Sequence, residues 1–219
     1  MAHRRPTEWR MLNAAEVPTM YAREGPTKRY LSVDEWRELL GTSDVKYEYH
    51  HGWVYAMAGE TADHSSISIN AVRALQDALG NRPCRAYNSD MAVRLAQFEY
   101  RFPDATVTGD PHDRGRITEV QSPRVIVEVL SDSTETEDRT YRFALARACP
   151  SVQEYVLIAT RYQTVEVYHR GDPAWLYRSY GPGENVELES IDASLPVDQL
   201  YRLTEVPLPG TPEDRPEHS

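Results

Sequence analysis

The stretch VIVEVLSDST, Val125 to Thr134, decides how the chain is read. An apolar, β-branched run of the kind that forms a buried strand is interrupted by a single carboxylate, Glu128. In a strand, Val125, Val127 and Val129 share one face while Ile126, Glu128 and Leu130 share the other, so both faces are apolar except at Glu128. Burying an unpaired carboxylate costs on the order of several kcal/mol, which means Glu128 needs a proton, an arginine or a metal ion.

A second acid is placed to meet it. Asp104, in YRFPDATV, lies about as far before the dipeptide Gly115-Arg116 as Glu128 lies after it. A hairpin of residues 104–108 with 124–130 sets positions 104 and 128 opposite each other, pointing to one face. Two neighbouring anions repel, and a pair of hard oxygen donors suits Mg²⁺ or Mn²⁺. Spacing alone leaves a second reading open, in which Glu128 pairs with Arg94 or Arg101 and Asp104 caps the turn after Pro103.

Working outward, YLSVDEWRELLG predicts a short amphipathic helix with a Ser32/Glu35 capping box, and VKYEYHHGWVYAMAG a β-hairpin turning at His50-His51-Gly52. A longer helix follows, capped by Thr61 or Asp63, with Ile67, Ala71, Ala74, Leu75 and Ala78 on one face and a stop at Gly80 to Pro83. RAYNSDMAVRLA, FPDATVTG and PRVIVEVLS read as strands. A second long helix is expected from a Thr134/Glu137 capping box to Cys149-Pro150, then an antiparallel meander, and a last helical turn in SLPVDQLY. The pattern is that of an α/β or α+β fold, a mixed central sheet flanked by helices. Residues 1–29 read as an arm, 30–204 as one domain, and 205–219 as an acidic, proline-rich, disordered tail.

No window is apolar enough to span a membrane and no secretory leader is visible, so the sequence predicts a cytoplasmic protein without a membrane partner. Cys84 and Cys149 read as small apolar residues. The net charge of -10 argues against non-specific coating of nucleic acid, which depends on a basic face. Among the 24 basic residues only Lys28 and Lys46 are lysines, so any role that requires lysine has few candidates.

The ordered set Y-E-Y-H-H-G with Glu48, D-H at Asp63-His64, F-P-D at Asp104, V-I-V-E-V-L-S with Glu128, D-R at Asp138-Arg139 and P-S-V-Q-E-Y-V-L-I resembles the Uma-two family of restriction-endonuclease-like proteins, within the PD-(D/E)XK nuclease superfamily. The likeness runs from about Tyr30 to Leu203. It implies a Mg²⁺-dependent nuclease acting on DNA, with Mn²⁺ as a substitute ion and Asp104, Glu128 and the carbonyl of Val129 as metal ligands. Glu48 matches the family's upstream glutamate. Arg139, Arg142 and His64 fall on the substrate side by the same likeness, and a homodimer is implied because cutting two strands needs two sites. Without the likeness, Glu48 reads as a hairpin residue paired with Lys46.

One departure matters. The family pattern carries a lysine on the helix after the metal strand, in a D-R-x-x-K context, and here Arg142 stands in its place. Arginine can hold a phosphate but stays protonated and cannot act as a general base. Locally, Asp138 and Arg142 also suit an i,i+4 pair on a solvated helix face. Lys46 is a substitute candidate. His64 suits either a satisfied helix start or a residue that orients a metal ligand or meets a phosphate. His50 and His51 read as turn residues and His112 as part of a polar loop. Two rival functions remain: a degenerate nuclease fold that binds without turnover, and a metal hydrolase of small phosphoesters.

Overall fold

The computed structural model describes residues 10–11, 29–57, 59–115 and 117–210; the rest of the expected arm and residues 211–219 of the expected tail lie outside the described residues. Strands β1 (Arg10–Met11) and β2 (Arg29–Tyr30) precede helix α1 (Val33–Thr42), the hairpin β3 (Tyr47–His50) and β4 (Trp53–Ala56), and the long helix α2 (Ala62–Leu79). Strands β5 (Arg85–Asn88), β6 (Ala92–Ala96), β7 (Glu99–Arg101), β8 (Ala105–Thr108), β9 (Glu119–Val120) and β10 (Pro123–Val129) follow. A helical segment then runs in three pieces, α3 (Glu135–Glu137), a π-helical turn (Asp138–Arg142) and α4 (Phe143–Ala148). The chain ends in β11 (Glu154–Ile158), β12 (Val165–Arg170), β13 (Trp175–Tyr180), β14 (Asn185–Leu188), β15 (Ala193–Pro196) and α5 (Val197–Leu200).

This is a mixed α+β fold. Its main sheet has the order β1-β13-β12-β11-β10-β8-β5, with β10 parallel to β11 and antiparallel to β8. A second sheet, β2-β4-β3-β7-β6-β9, carries α1, and β14 pairs with β15. The alternation of β10 divides the interior as the sequence pattern requires. Val125, Val127 and Val129 pack with Ile67, Leu75 and Leu79 of α2, while Ile126 and Leu130 pack with Ala146, Tyr155 and Leu157 on the opposite face. Trp36 of α1 is fully buried against Tyr49, Tyr100 and Phe102, and its indole N–H donates to the carbonyl of Tyr47 at 2.6 Å. No helix among the described residues is long and apolar enough to cross a membrane.

Local chemistry explains both the agreements and the differences. Ser32 and Glu35 form the expected capping box, and Thr61 rather than Asp63 caps α2 by accepting from the His64 N–H. RAYNSDMAVRLA, read as a strand, is split between the two sheets. Asn88 and Asp90 bond to each other at the turn, and the Met91 N–H returns to the Asn88 carbonyl at 3.1 Å. The Thr134 capping box does not form: its hydroxyl meets Ser131 Oγ at 3.0 Å instead. The expected long helix is interrupted by the π-helical turn, which coincides with the two polar residues that this segment buries, Asp138 and Arg142.

The pairing of β8 with β10 follows the expected register, Thr106 opposite Ile126 and Ala105 opposite Val127. The connection between them is not a simple hairpin tip, because β9 leaves to pair with β6. Buried Asp113 organises that excursion, accepting from Thr108 Oγ1 and from the N–H groups of Gln121 and Ser122, each at 2.9 Å. The first residues of the acidic end are also held: Val206 is buried, and its carbonyl accepts from Gln163 Nε2 at 2.9 Å.

Candidate functional site

The site forms where β8 begins and β10 ends. One more step along the β8/β10 register from Ala105 and Val127 brings Asp104 beside Glu128. Helix α2 closes over this end of the sheet and presents His64 and Ser68, one turn apart on the same face. Together with Lys46, Val129 and Arg142, these residues line a cleft of about 1060 Å³.

Asp104 is fixed from three directions. Its Oδ1 accepts from Ser68 Oγ at 2.9 Å, and its Oδ2 accepts from the Val129 N–H at 2.8 Å and lies 3.5 Å from His64 Nε2. It is therefore not simply a cap on the turn after Pro103. Glu128 is 6% exposed at its side chain, and its Oε1 accepts from Arg142 Nη1 at 3.2 Å. Among the described residues nothing donates to its Oε2. Burial pushes the Glu128 carboxyl well above the usual carboxylate range; Arg142 pulls it back, while Asp138, Asp104 and Glu48 push it further up.

Arg142 sits at the centre of four acids. Its Nη2 lies 2.9 Å from Glu48 Oε1, its Nη1 3.2 Å from Glu128 Oε1, and its Nε 3.2 Å from Asp138 Oδ1 and 3.6 Å from Glu137 Oε1. The Asp138–Arg142 pair does exist, but it is buried rather than on a solvated face. Burial favours the neutral guanidine, yet Glu48, then Glu128, Asp138 and Glu137 outweigh it and hold Arg142 firmly protonated. Asp138 is pushed up to about 6, chiefly by burial, with Arg142 opposing.

Glu48 is fully buried and shared by two arginines, since Arg101 Nη1 also donates to its Oε2 at 2.9 Å. Lys46 does not pair with it, because Lys46 Nζ turns to Asp90 Oδ1 at 2.5 Å and the Ser89 carbonyl at 3.0 Å. Arg101, considered from sequence as a partner for Glu128, serves Glu48 and Glu99 instead. Arg139 is not brought to the cleft: it forks onto Glu166 of β12 at 2.9 and 2.8 Å and pairs with Glu135. His112 bonds Asp110 in an exposed loop. Sequence reasoning missed Ser68 and the burial of Asp138. The spacing of Ser68, four residues after His64, was the signal that could have found the first.

The donor set is chemically coherent. Asp104 and Glu128 supply hard carboxylate oxygens, each carboxylate retains lone pairs beyond the bonds described, and among the described residues Glu128 Oε2 has no donor on it. Mutual repulsion within an acidic pocket is what a divalent cation relieves, and oxygen donors of this kind fit Mg²⁺ or Mn²⁺.

Comparison with known proteins agrees with this architecture. A family model described as “Uma2: Putative restriction endonuclease” matches residues 33–198. Two proteins of Synechocystis sp. (strain ATCC 27184 / PCC 6803 / Kazusa) are similar in sequence. “Uncharacterized protein slr1290” is 35% identical over 174 residues, covering 78% of this chain and 92% of its own. “Uncharacterized protein sll1609” is 32% identical over 168 residues, covering 74% and 94%. The fold is similar to the crystal structure of a “putative nuclease belonging to DUF820” from Anabaena variabilis ATCC 29413, with a TM-score of 0.59 and 19% identity over 80% of this chain and 98% of that one.

Proposed function

Because the chain belongs to the Uma2 family, we propose that it is a divalent-metal-dependent nuclease that hydrolyses phosphodiester bonds in DNA. The observation that carries this reading is the convergence of Asp104 and Glu128 on one cleft, with Asp104 oriented by Ser68 and the Val129 N–H. Asp104, Glu128 and the carbonyl of Val129 would hold Mg²⁺, with Mn²⁺ as a substitute. When bound, such an ion activates water and offsets charge at phosphorus.

The remaining residues prepare that site. Ser68 and His64 keep the Asp104 carboxylate facing the cleft. Glu48 anchors Arg142, and Arg142 in turn holds Glu128 by one oxygen, leaving the other for an ion. The edge of the Arg142 guanidinium that lines the cleft offers its positive charge to a phosphate. Two such clefts, in a homodimer, would serve the two strands of a duplex. The test is nicking of supercoiled plasmid with Mg²⁺ and with EDTA. Cleavage that needs the ion and disappears in Asp104→Asn and Glu128→Gln is expected, and cleavage that survives both substitutions rules this assignment out.

A second reading is favoured by Arg142 itself, a tethered cation already lodged among Glu48, Glu128 and Asp138. On that reading the protein binds DNA without cutting it. An inactive parent that gains nicking in Arg142→Lys would select the second reading, whereas a parent that nicks DNA removes it.

A further inference from the structure

At the far end of β3 from the cleft, residues distant in sequence assemble a different donor set. β3 and β4 are joined by a two-residue turn, His51-Gly52, with φ of 45° and 93°. Positive φ at both positions is the hairpin geometry that matches strand twist. Gly52 suits its φ of 93°, and a Cβ there would come within 2.4 Å of the exposed Tyr30 ring, which would have to shift. The turn is fastened to the β6–β7 turn by the His51 N–H, which donates to the Phe98 carbonyl at 2.9 Å, and His50 stands directly opposite Glu99 in the β3/β7 pairing.

Three side chains therefore face one point. Glu99 Oε1 is in contact with His50 Nδ1, lies 3.4 Å from His51 Nε2, and accepts from the Tyr141 hydroxyl at 3.1 Å. One ligand atom from each of His50, His51 and Glu99 falls within 4.8 Å of the others. The second Glu99 oxygen is held by Arg101 Nη2 at 3.4 Å, the kind of outer partner that orients a ligating carboxylate. Glu99 is 2% exposed and His50 12%, while His51 is 61% exposed and leaves the point open to solvent.

We propose that His50, His51 and Glu99 form a second metal site, selective for a borderline transition ion of the zinc class, with water or the Tyr141 hydroxyl in the fourth position. Two imidazoles and one carboxylate make a donor set that Zn²⁺ takes at about 2.0–2.2 Å, which in a tetrahedron separates donors by roughly 3.4 Å. The His51 to Glu99 separation already has that value, whereas the direct His50 Nδ1–Glu99 Oε1 contact, which the Tyr141 hydroxyl also meets, would open to admit the ion. The cleft, by contrast, offers carboxylate oxygens suited to Mg²⁺ or Mn²⁺. The ion at the second site would pin the β3–β4 turn to β7, two residues beyond Glu48. The inference does not rest on nuclease activity.

The test uses the full chain stripped of metal and titrated with Co²⁺, read by its visible absorption, with Zn²⁺ as competitor. Intense tetrahedral bands from one Co²⁺ per chain are expected, apart from weakly absorbing Co²⁺ taken up by the cleft carboxylates; these bands are displaced by Zn²⁺, unchanged in Asp104→Asn, and weakened at least about tenfold in His51→Asn. His51→Asn is chosen because position 51 is exposed and asparagine tolerates its positive φ, so the fold is retained. Absence of Co²⁺ bands and Zn²⁺ uptake in the parent would show a histidine–carboxylate ion pair only and overturn the proposal. Tetrahedral bands unaltered by His51→Asn, or lost in Asp104→Asn, overturn it equally.

Discussion

The guanidinium of Arg142 bridges Glu48 and Glu128, with Nη2 2.9 Å from Glu48 Oε1 and Nη1 3.2 Å from Glu128 Oε1. The carboxylate that breaks the apolar strand β10 is thus neutralised in part from within the chain. The bridge sets the charge of the whole cleft, so its removal and its chemical variation have separable consequences.

Arg142→Met takes away the cation and leaves Glu48, Glu128 and Asp138 buried together. Stripping one partner from a buried pair costs about 3–5 kcal/mol, and a loss of that size is expected in urea denaturation of the metal-free protein. Arg142→Lys keeps the charge but loses the planar fork, so a smaller loss is expected. Equal stability of Arg142→Met and parent would show that the bridge does not support the fold.

The raised pKa of Asp138 fixes a pH dependence. Its folded value of about 6 lies above the usual carboxylate value of about 4, so the folded state holds the proton more tightly than the unfolded one. Its contribution to stability is fully present below pH ~4 and is lost as pH rises through about 6, a fall of roughly 3 kcal/mol. Denaturation of metal-free protein across this window should show the decline, and Asp138→Asn should flatten it. A parent that grows more stable from pH 4 to 6, with no difference in Asp138→Asn, contradicts the assignment.

The placement of Asp104 beside Glu128 is legible in the sequence, and the reason is periodicity. The two-residue alternation of a strand assigned the faces of β10, and the near-symmetric placement of Asp104 and Glu128 about Gly115-Arg116 gave their register. The excursion of β9 between them changes neither. What stayed hidden depends on side chains from elements that no local pattern connects. Arg101 turning to Glu48, Glu99 meeting His50, and Arg139 leaving the cleft for Glu166 are all choices made by packing. The π-helical turn was equally unreadable, since Tyr141, Ala144, Leu145 and Ala148 keep a helical spacing whether or not one turn is widened.

Ser68 acts on Asp104 through a single hydrogen bond of 2.9 Å. Ser68→Ala should cost about 0.5–1.5 kcal/mol of stability and leave the fold intact. If the hydroxyl positions the ligand, Mn²⁺ affinity at the cleft falls several-fold in the same variant. An unchanged affinity would assign Ser68 to packing alone.

Glu128→Gln separates stability from function. Burial makes the Glu128 carboxylate costly in the metal-free protein, and glutamine removes that charge while keeping the shape. Thermal unfolding without metal should occur at or above the parent temperature, while the upward shift that Mg²⁺ gives the parent disappears. A variant that unfolds much earlier yet still responds to Mg²⁺ contradicts both halves.

The central claim is that Asp104 and Glu128 hold one hard divalent ion between them, and calorimetric titration with Mn²⁺ addresses it most directly. The His51→Asn background keeps the histidine cluster from contributing. One Mn²⁺ per chain, lost when Asp104→Asn and Glu128→Gln are added together, is the expected result. No uptake, or uptake that persists in the combined variant, contradicts the account.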